Sequence, residues 1–151
     1  MAFLSSLNIV ASGMTAQQLR LDVVAENVTN STTTRTEAGG PYRRKMVVFQ
    51  SVAGRDDFRA AMARAAGGLA PNTGASPAGG VRVTQIVEDP SPMKLVYDPA
   101  HPDANEDGYV EMPNVDMVKE MTDAMAATQA YSANVTAFNT LKSVVAKGLE
   151  I

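Results

Sequence analysis

Asp103-Ala-Asn105-Glu-Asp107-Gly108 places oxygen-bearing side chains at alternate positions ahead of a glycine, the pattern that opens a calcium-binding loop. The twelfth position of such a loop must supply a bidentate glutamate, and here it is Asn114. The flanks also read as turn and strand where the motif needs two helices. The segment is therefore expected to be a tight Asp/Asn/Gly turn whose side chains bond the local backbone. His101 is the only histidine and lies between Pro99 and Pro102, so one chain cannot form a Ser-His-Asp triad or a multi-histidine metal site. No serine has a G-x-S-x-G setting, and cysteine is absent. No enzymatic chemistry, cofactor, metal or small-molecule substrate is expected.

The remaining polar residues of interest are asparagines. Asn27 and Asn30 share one face at the end of a helical segment, in Asn27-Val-Thr-Asn30-Ser-Thr-Thr-Thr34. Two roles are open to them: satisfying free carbonyls at the helix terminus, or fixing register against a neighbouring helix. The Asn-x-Ser/Thr sequons at Asn27, Asn30 and Asn134 read as chance.

The elements that must position these residues are two long amphipathic segments. Phe3, Leu7, Val10, Met14, Gln17, Leu21, Val24 and Val28 recur at alternating steps of four and three, with only Gln17 breaking the stripe. Met117, Met121, Ala124, Thr128, Tyr131, Val135, Phe138, Lys142, Val145 and Leu149 follow the same rule with smaller and more polar members. The stripes suit either a two-helix hairpin closing one chain's core or contact with neighbouring subunits. Ser5 or Ser6 is the expected cap of the first helix. Asn114 is the expected cap of the last, with Asp116 and Glu120 near the positive end of its dipole. That helix is expected to run to about Gly148, a rod of roughly 50 Å at ~1.5 Å per residue.

Between the helices, Lys45–Gln50, Val81–Val87 and Met93–Tyr97 have strand composition, with Val81, Val83 and Val87 on one face of the second. Asp56–Ala66 suits a short helix, and the Gly/Ala/Pro-rich stretch 67–80 a flexible loop. The expected class is α+β, divided as 1–30 (helix), 31–113 (β-rich) and 114–151 (helix).

Composition agrees with a chain that works by contact. Aromatics are 5% and Trp is absent, so a large aromatic ligand pocket is not expected, while nine Met supply adaptable apolar surface. Residues 1–64 carry eight Lys/Arg against five Asp/Glu and residues 65–151 carry five against eleven, a polarity that could favour head-to-tail stacking. Arg43-Arg44-Lys45 is too short a basic cluster for a nucleic-acid groove. Neither a Sec-type signal nor a membrane span is visible.

Ala11-Ser-Gly-Met-Thr-Ala-Gln-Gln-Leu19 with Val24-Ala-Glu-Asn-Val-Thr-Asn30, then Gly39-Gly-Pro-Tyr-Arg-Arg-Lys45, resembles the bacterial flagellar basal-body rod family. Val96-Tyr-Asp-Pro-Ala-His-Pro-Asp-Ala-Asn105, Gly108-Tyr-Val110 and Pro113-Asn-Val115 resemble the segment that marks its proximal rod branch, and Ala130-Tyr-Ser-Ala-Asn134 the C-terminal motif shared by axial proteins. The resemblance implies terminal helices paired as a coiled-coil-like inner domain, and a periplasmic rod that transmits motor torque to hook and filament. It implies export through the flagellar type III apparatus without a cleaved signal, with terminal regions that order on assembly. Implied partners are copies of itself, other proximal and distal rod proteins, the export/MS-ring junction and the export apparatus. Expected interface residues are Leu7, Val10, Met14, Leu21, Val24, Asn27, Val28, Asn30, Met117, Met121, Tyr131, Asn134, Val135, Phe138 and Val145. The alternative is a soluble helical adaptor that is folded and monomeric by itself.

Overall fold

A computed structural model describes residues 2–37, 39–52, 62, 65 and 79–149. The order is α1 (Ala2–Thr29), β1 (Lys45–Ser51), β2 (Val81–Glu88), β3 (Lys94–Tyr97), β4 (Tyr109–Met112) and α2 (Met117–Leu149). Two long helices flanking a small β region make the class α+β. The expected short helix 56–66 lies outside the described residues save Met62 and Ala65, and the expected loop 67–80 does so save Gly79 and Gly80.

The sheets are two-stranded, β1–β2 and β3–β4. β1 and β2 run antiparallel, since the Asp89 amide donates to the Arg44 carbonyl at one end and the Val52 amide to the Gly80 carbonyl at the other. Val81, Val83 and Val87 are half-buried and their neighbours Arg82, Thr84 and Ile86 exposed, as the alternation requires. β3 and β4 are antiparallel with Lys94 opposite Met112 and Tyr97 opposite Tyr109.

Two compact units divide the chain: residues 18–48 with 85–129, and the described residues of 1–17, 49–84 and 130–151. In the first, α1 and α2 lie side by side and antiparallel, with Arg20 reaching Asp123 and Asn27 reaching Glu120. Its core holds Val23, Val24, Tyr42, Val110, Pro113, Val115 and Ala127. In the second, the helices approach where α1 has no side chain: a Cβ on Gly13 would stand 3.0 Å from Asn134 Nδ2. Ser12 joins α1 to β2 there, its hydroxyl donating to the Ile9 carbonyl at 2.7 Å and accepting the Val81 amide at 3.1 Å.

Both expected caps are corrected. α1 already includes Ala2, so Ser5 and Ser6 lie inside it; serine hydroxyls can bond a carbonyl one turn back and do not by themselves mark a start. α2 is capped by Asp116, whose Oδ1 accepts the Val118 amide at 3.1 Å and whose carbonyl accepts the Glu120 amide. Asn114 is engaged elsewhere: Oδ1 accepts the Arg44 amide at 2.8 Å, and Nδ2 donates to the Asp89 and Ser91 carbonyls.

Candidate functional site

A buried polar network joins α1, β1 and α2. Asn27 and Glu120 are both fully buried. Asn27 Nδ2 donates to the Lys45 carbonyl at 2.9 Å and to Glu120 Oε2 at 3.0 Å, while its Oδ1 accepts the Lys45 amide and the Tyr42 hydroxyl, each at 2.9 Å. Two donors and two acceptors are the whole capacity of an asparagine amide, so none is left over. Glu120 Oε1 takes the Arg44 Nε at 2.6 Å, and Arg44 also reaches Asp89. Burial alone would lower the Arg44 pKa, but Glu120 and then Asp89 outweigh it and raise it above its ordinary value. Asp89 is held below its usual range by the Ser91 hydroxyl and amide, aided by Arg44. Tyr42 is pushed up to about 12 by burial and then by the charges of Glu26, Glu120 and Glu88.

The two asparagines of the helix end have separate roles. Asn30 Nδ2 donates to the Glu26 carbonyl, closing its own helix, and its Oδ1 accepts the Thr33 hydroxyl. Asn27 links strand and helix, contacts that join residues up to 93 positions apart.

The Asp103–Gly108 segment is folded by its own side chains. Asn105 Oδ1 accepts the Asp107 and Tyr109 amides at 3.1 and 2.8 Å, and Asp103 Oδ2 accepts the Thr34 hydroxyl at 2.8 Å. Gly108 adopts φ of +78°, the left-handed conformation the turn demands. Asn105 Oδ1 is thus spent on the turn joining β3 to β4, and Asp103 Oδ2 on Thr34.

The helix faces separate the expected interface residues into groups. On α1, Leu7, Val10, Met14, Leu21, Val28 and Asn30 are half-buried, whereas Val24 and Asn27 are covered within the chain. On α2 the stripe read from the sequence divides: Met117, Met121, Thr128 and Lys142 are exposed, while Ala124, Tyr131, Val135, Phe138 and Val145 are half-buried in a row with Glu120, Ala127, Asn134 and Leu141. The covered row uses Ala127, whose small side chain admits a close neighbour, and Glu120, whose charge is met by Arg44. Sequence reasoning missed Glu120 and Arg44 as a pair, and no local signal connects them. What remains outward near the start of α2 is Met117, Val118, Met121 and Met125.

Among the described residues no helix is long and apolar enough to cross a membrane, and no acidic or histidine cluster is arranged to hold a metal ion.

Two family models match the chain: "Flagella basal body rod protein" over residues 7–35 and "Flagellar basal body rod FlgEFG protein C-terminal" over residues 106–151. The chain is similar to the flagellar basal-body rod protein FlgC of Borreliella burgdorferi, 42% identical over 156 residues covering 100% of this chain and 98% of that protein. It is 47% identical to the FlgC of Bacillus subtilis, covering 97% of this chain and 95% of the relative. With the FlgC of Salmonella typhimurium the identity is 40%, covering 100% and 98%.

Proposed function

The chain belongs to the flagellar basal-body rod protein FlgC family, and from that premise we propose that it forms part of the proximal rod, the shaft that carries motor torque toward hook and filament. As a family member it is a structural subunit of the basal-body rod, resides in the basal body, assembles with other rod components and is not an enzyme.

In the proposed assembly, α1 and α2 pair as a coiled-coil-like inner domain, and copies pack with proximal and distal rod neighbours through heterologous contacts that do not close, so that a tube propagates. The observation that carries the interface is the uncharged stripe on the outward side of α2, where Met121 is 57% and Met125 is 66% exposed. Methionine suits such a surface because its flexible thioether adapts to more than one partner shape. Leu7, Val10, Met14, Leu21, Val28 and Asn30 of α1, with Met117, Tyr131, Asn134, Val135, Phe138 and Val145 of α2, retain accessible surface and complete the proposed contacts. Val24 and Asn27 act from inside, holding the helix that presents them. A periplasmic location, export through the type III apparatus and contact with the export/MS-ring junction belong to the same proposal, which rests for these points on the family.

The test is purification and imaging of basal bodies from cells with and without this gene product, together with a swimming assay. The expected result is a missing rod and lost motility in its absence, with the protein present in wild-type basal bodies. Intact rods with the protein left soluble would favour the adaptor.

A further inference from the structure

The β3–β4 hairpin carries a surface that the helix contacts leave unexplained. In its register Leu95 lies opposite Glu111 and Tyr97 opposite Tyr109, so these four side chains share one face, while Val96 and Val110 share the other. Val110 is buried and sets its side of β4 inward, while Val96 opposite it is 42% exposed; Leu95 and Tyr97 stand outward at 64% and 65% exposed. The tyrosines meet edge to face, with ring centroids 5.3 Å apart and planes at 66°. A Cβ on Gly108 would stand 3.0 Å from Tyr97 Cε2 and 3.3 Å from Pro99 Cβ, so this glycine makes the seat in which the ring rests. An aromatic held in place yet open to solvent has lost its conformational entropy in advance, the condition under which Tyr anchors an interface.

The charge around this face is mostly acidic. Residues 94–112 contain Asp98, Asp103, Glu106, Asp107 and Glu111 against Lys94. The ammonium of Lys94 is already donated to the Val115 carbonyl at 2.6 Å. Beside the face, Asp103, Asn105, Tyr109 and Glu111 line a cleft of about 370 Å³, room for a long side chain, which Arg35 also lines.

We propose that this hairpin face, with Leu95, Tyr97 and Tyr109 at its centre and Asp107 and Glu111 at its edge, docks a basic protein surface of another basal-body component, one that offers Lys or Arg around an apolar centre. The inference rests on the rod reading, because it takes its partner from the assembly. Aromatic and leucine contact supplies the buried centre, and the carboxylates select against acidic partners and speed encounter with basic ones.

The experiment places a photo-crosslinking benzoyl-phenylalanine at Tyr97 in the full chain, irradiates motile cells, purifies basal bodies and maps the joined peptides by mass spectrometry. The expected result is a crosslink to a different basal-body protein, at a peptide containing Lys or Arg, reduced at least tenfold when Asp107→Lys and Glu111→Lys are added to a chain that still enters basal bodies. A chain present in basal bodies with no crosslink from position 97 would overturn the inference and leave the rod reading standing. So would a crosslink only to a second copy, or one indifferent to charge reversal. A chain absent from basal bodies would overturn the rod reading and this inference with it.

Discussion

Asn27 commits all four of its hydrogen bonds inside the chain, and Glu120 commits its charge to Arg44. Glu120→Gln is expected to destabilise the chain by about 2–3 kcal/mol in urea unfolding, below the usual cost of breaking a buried pair because Arg44 keeps Asp89. Tyr42→Phe should cost about 1 kcal/mol through the lost bond to Asn27. It should also remove a pH dependence. The phenol ionises at its ordinary value of 10.0 when unfolded and at about 12 when folded. Between these values unfolding releases a proton, so the stability conferred by the neutral buried phenol is full below the lower value and is lost as pH rises toward the upper one. Tyrosinate absorbance should show Tyr42 titrating late in the wild type, and the alkaline fall in stability should shrink in the phenylalanine variant. Asp89 has the opposite sign: its lowered pKa contributes stability that is lost as pH falls below the ordinary carboxylate range.

Elements meet where side chains are small or absent. Gly80 has φ of +115°, and a Cβ there would fall 2.3 Å from Ser12 Oγ, which bonds the Val81 amide. Gly80→Ala is therefore expected to cost more than about 1 kcal/mol, through strain and displacement of Ser12, and to weaken amide protection at Val81 in hydrogen exchange. The helices and strands themselves were largely legible: two long stripes, three of the four strands and the turn at 103–108 follow from period and composition. At α2 the period left open whether the stripe would be covered within the chain or face a neighbour, and Met117 and Met121 proved to face outward. Period fixes the spacing of a face, and not which of two offset faces finds cover. Asn114 misled for a similar reason, since an Asn before a helix can cap it or, as here, tie Arg44 to Asp89 and Ser91.

For the whole molecule, the useful substitutions are those that spare the fold. Val24→Asp would bury a carboxylate in the chain's own core and cost several kcal/mol, so its effect on a rod could not be told from misfolding. Met121→Asp with Met125→Asp changes exposed positions and is expected to shift unfolding by no more than about 0.5 kcal/mol. The variant should retain its helical circular dichroism and yet fail to build rods or support swimming. Normal swimming by the folded double variant would contradict the outward α2 interface.

The amino-acid order by itself determined the family, the α+β class and the presence of a long helix at each end, because each depends on motifs or periodicities contained within short stretches. The tertiary structure alone decided that Glu120 is buried with Arg44 and Asn27, that Met121 and Met125 face outward, and that Leu95, Tyr97 and Tyr109 share an exposed face. Such assignments depend on what covers a side chain, and the covering groups come from positions as far as 93 residues away, where no local pattern can register them.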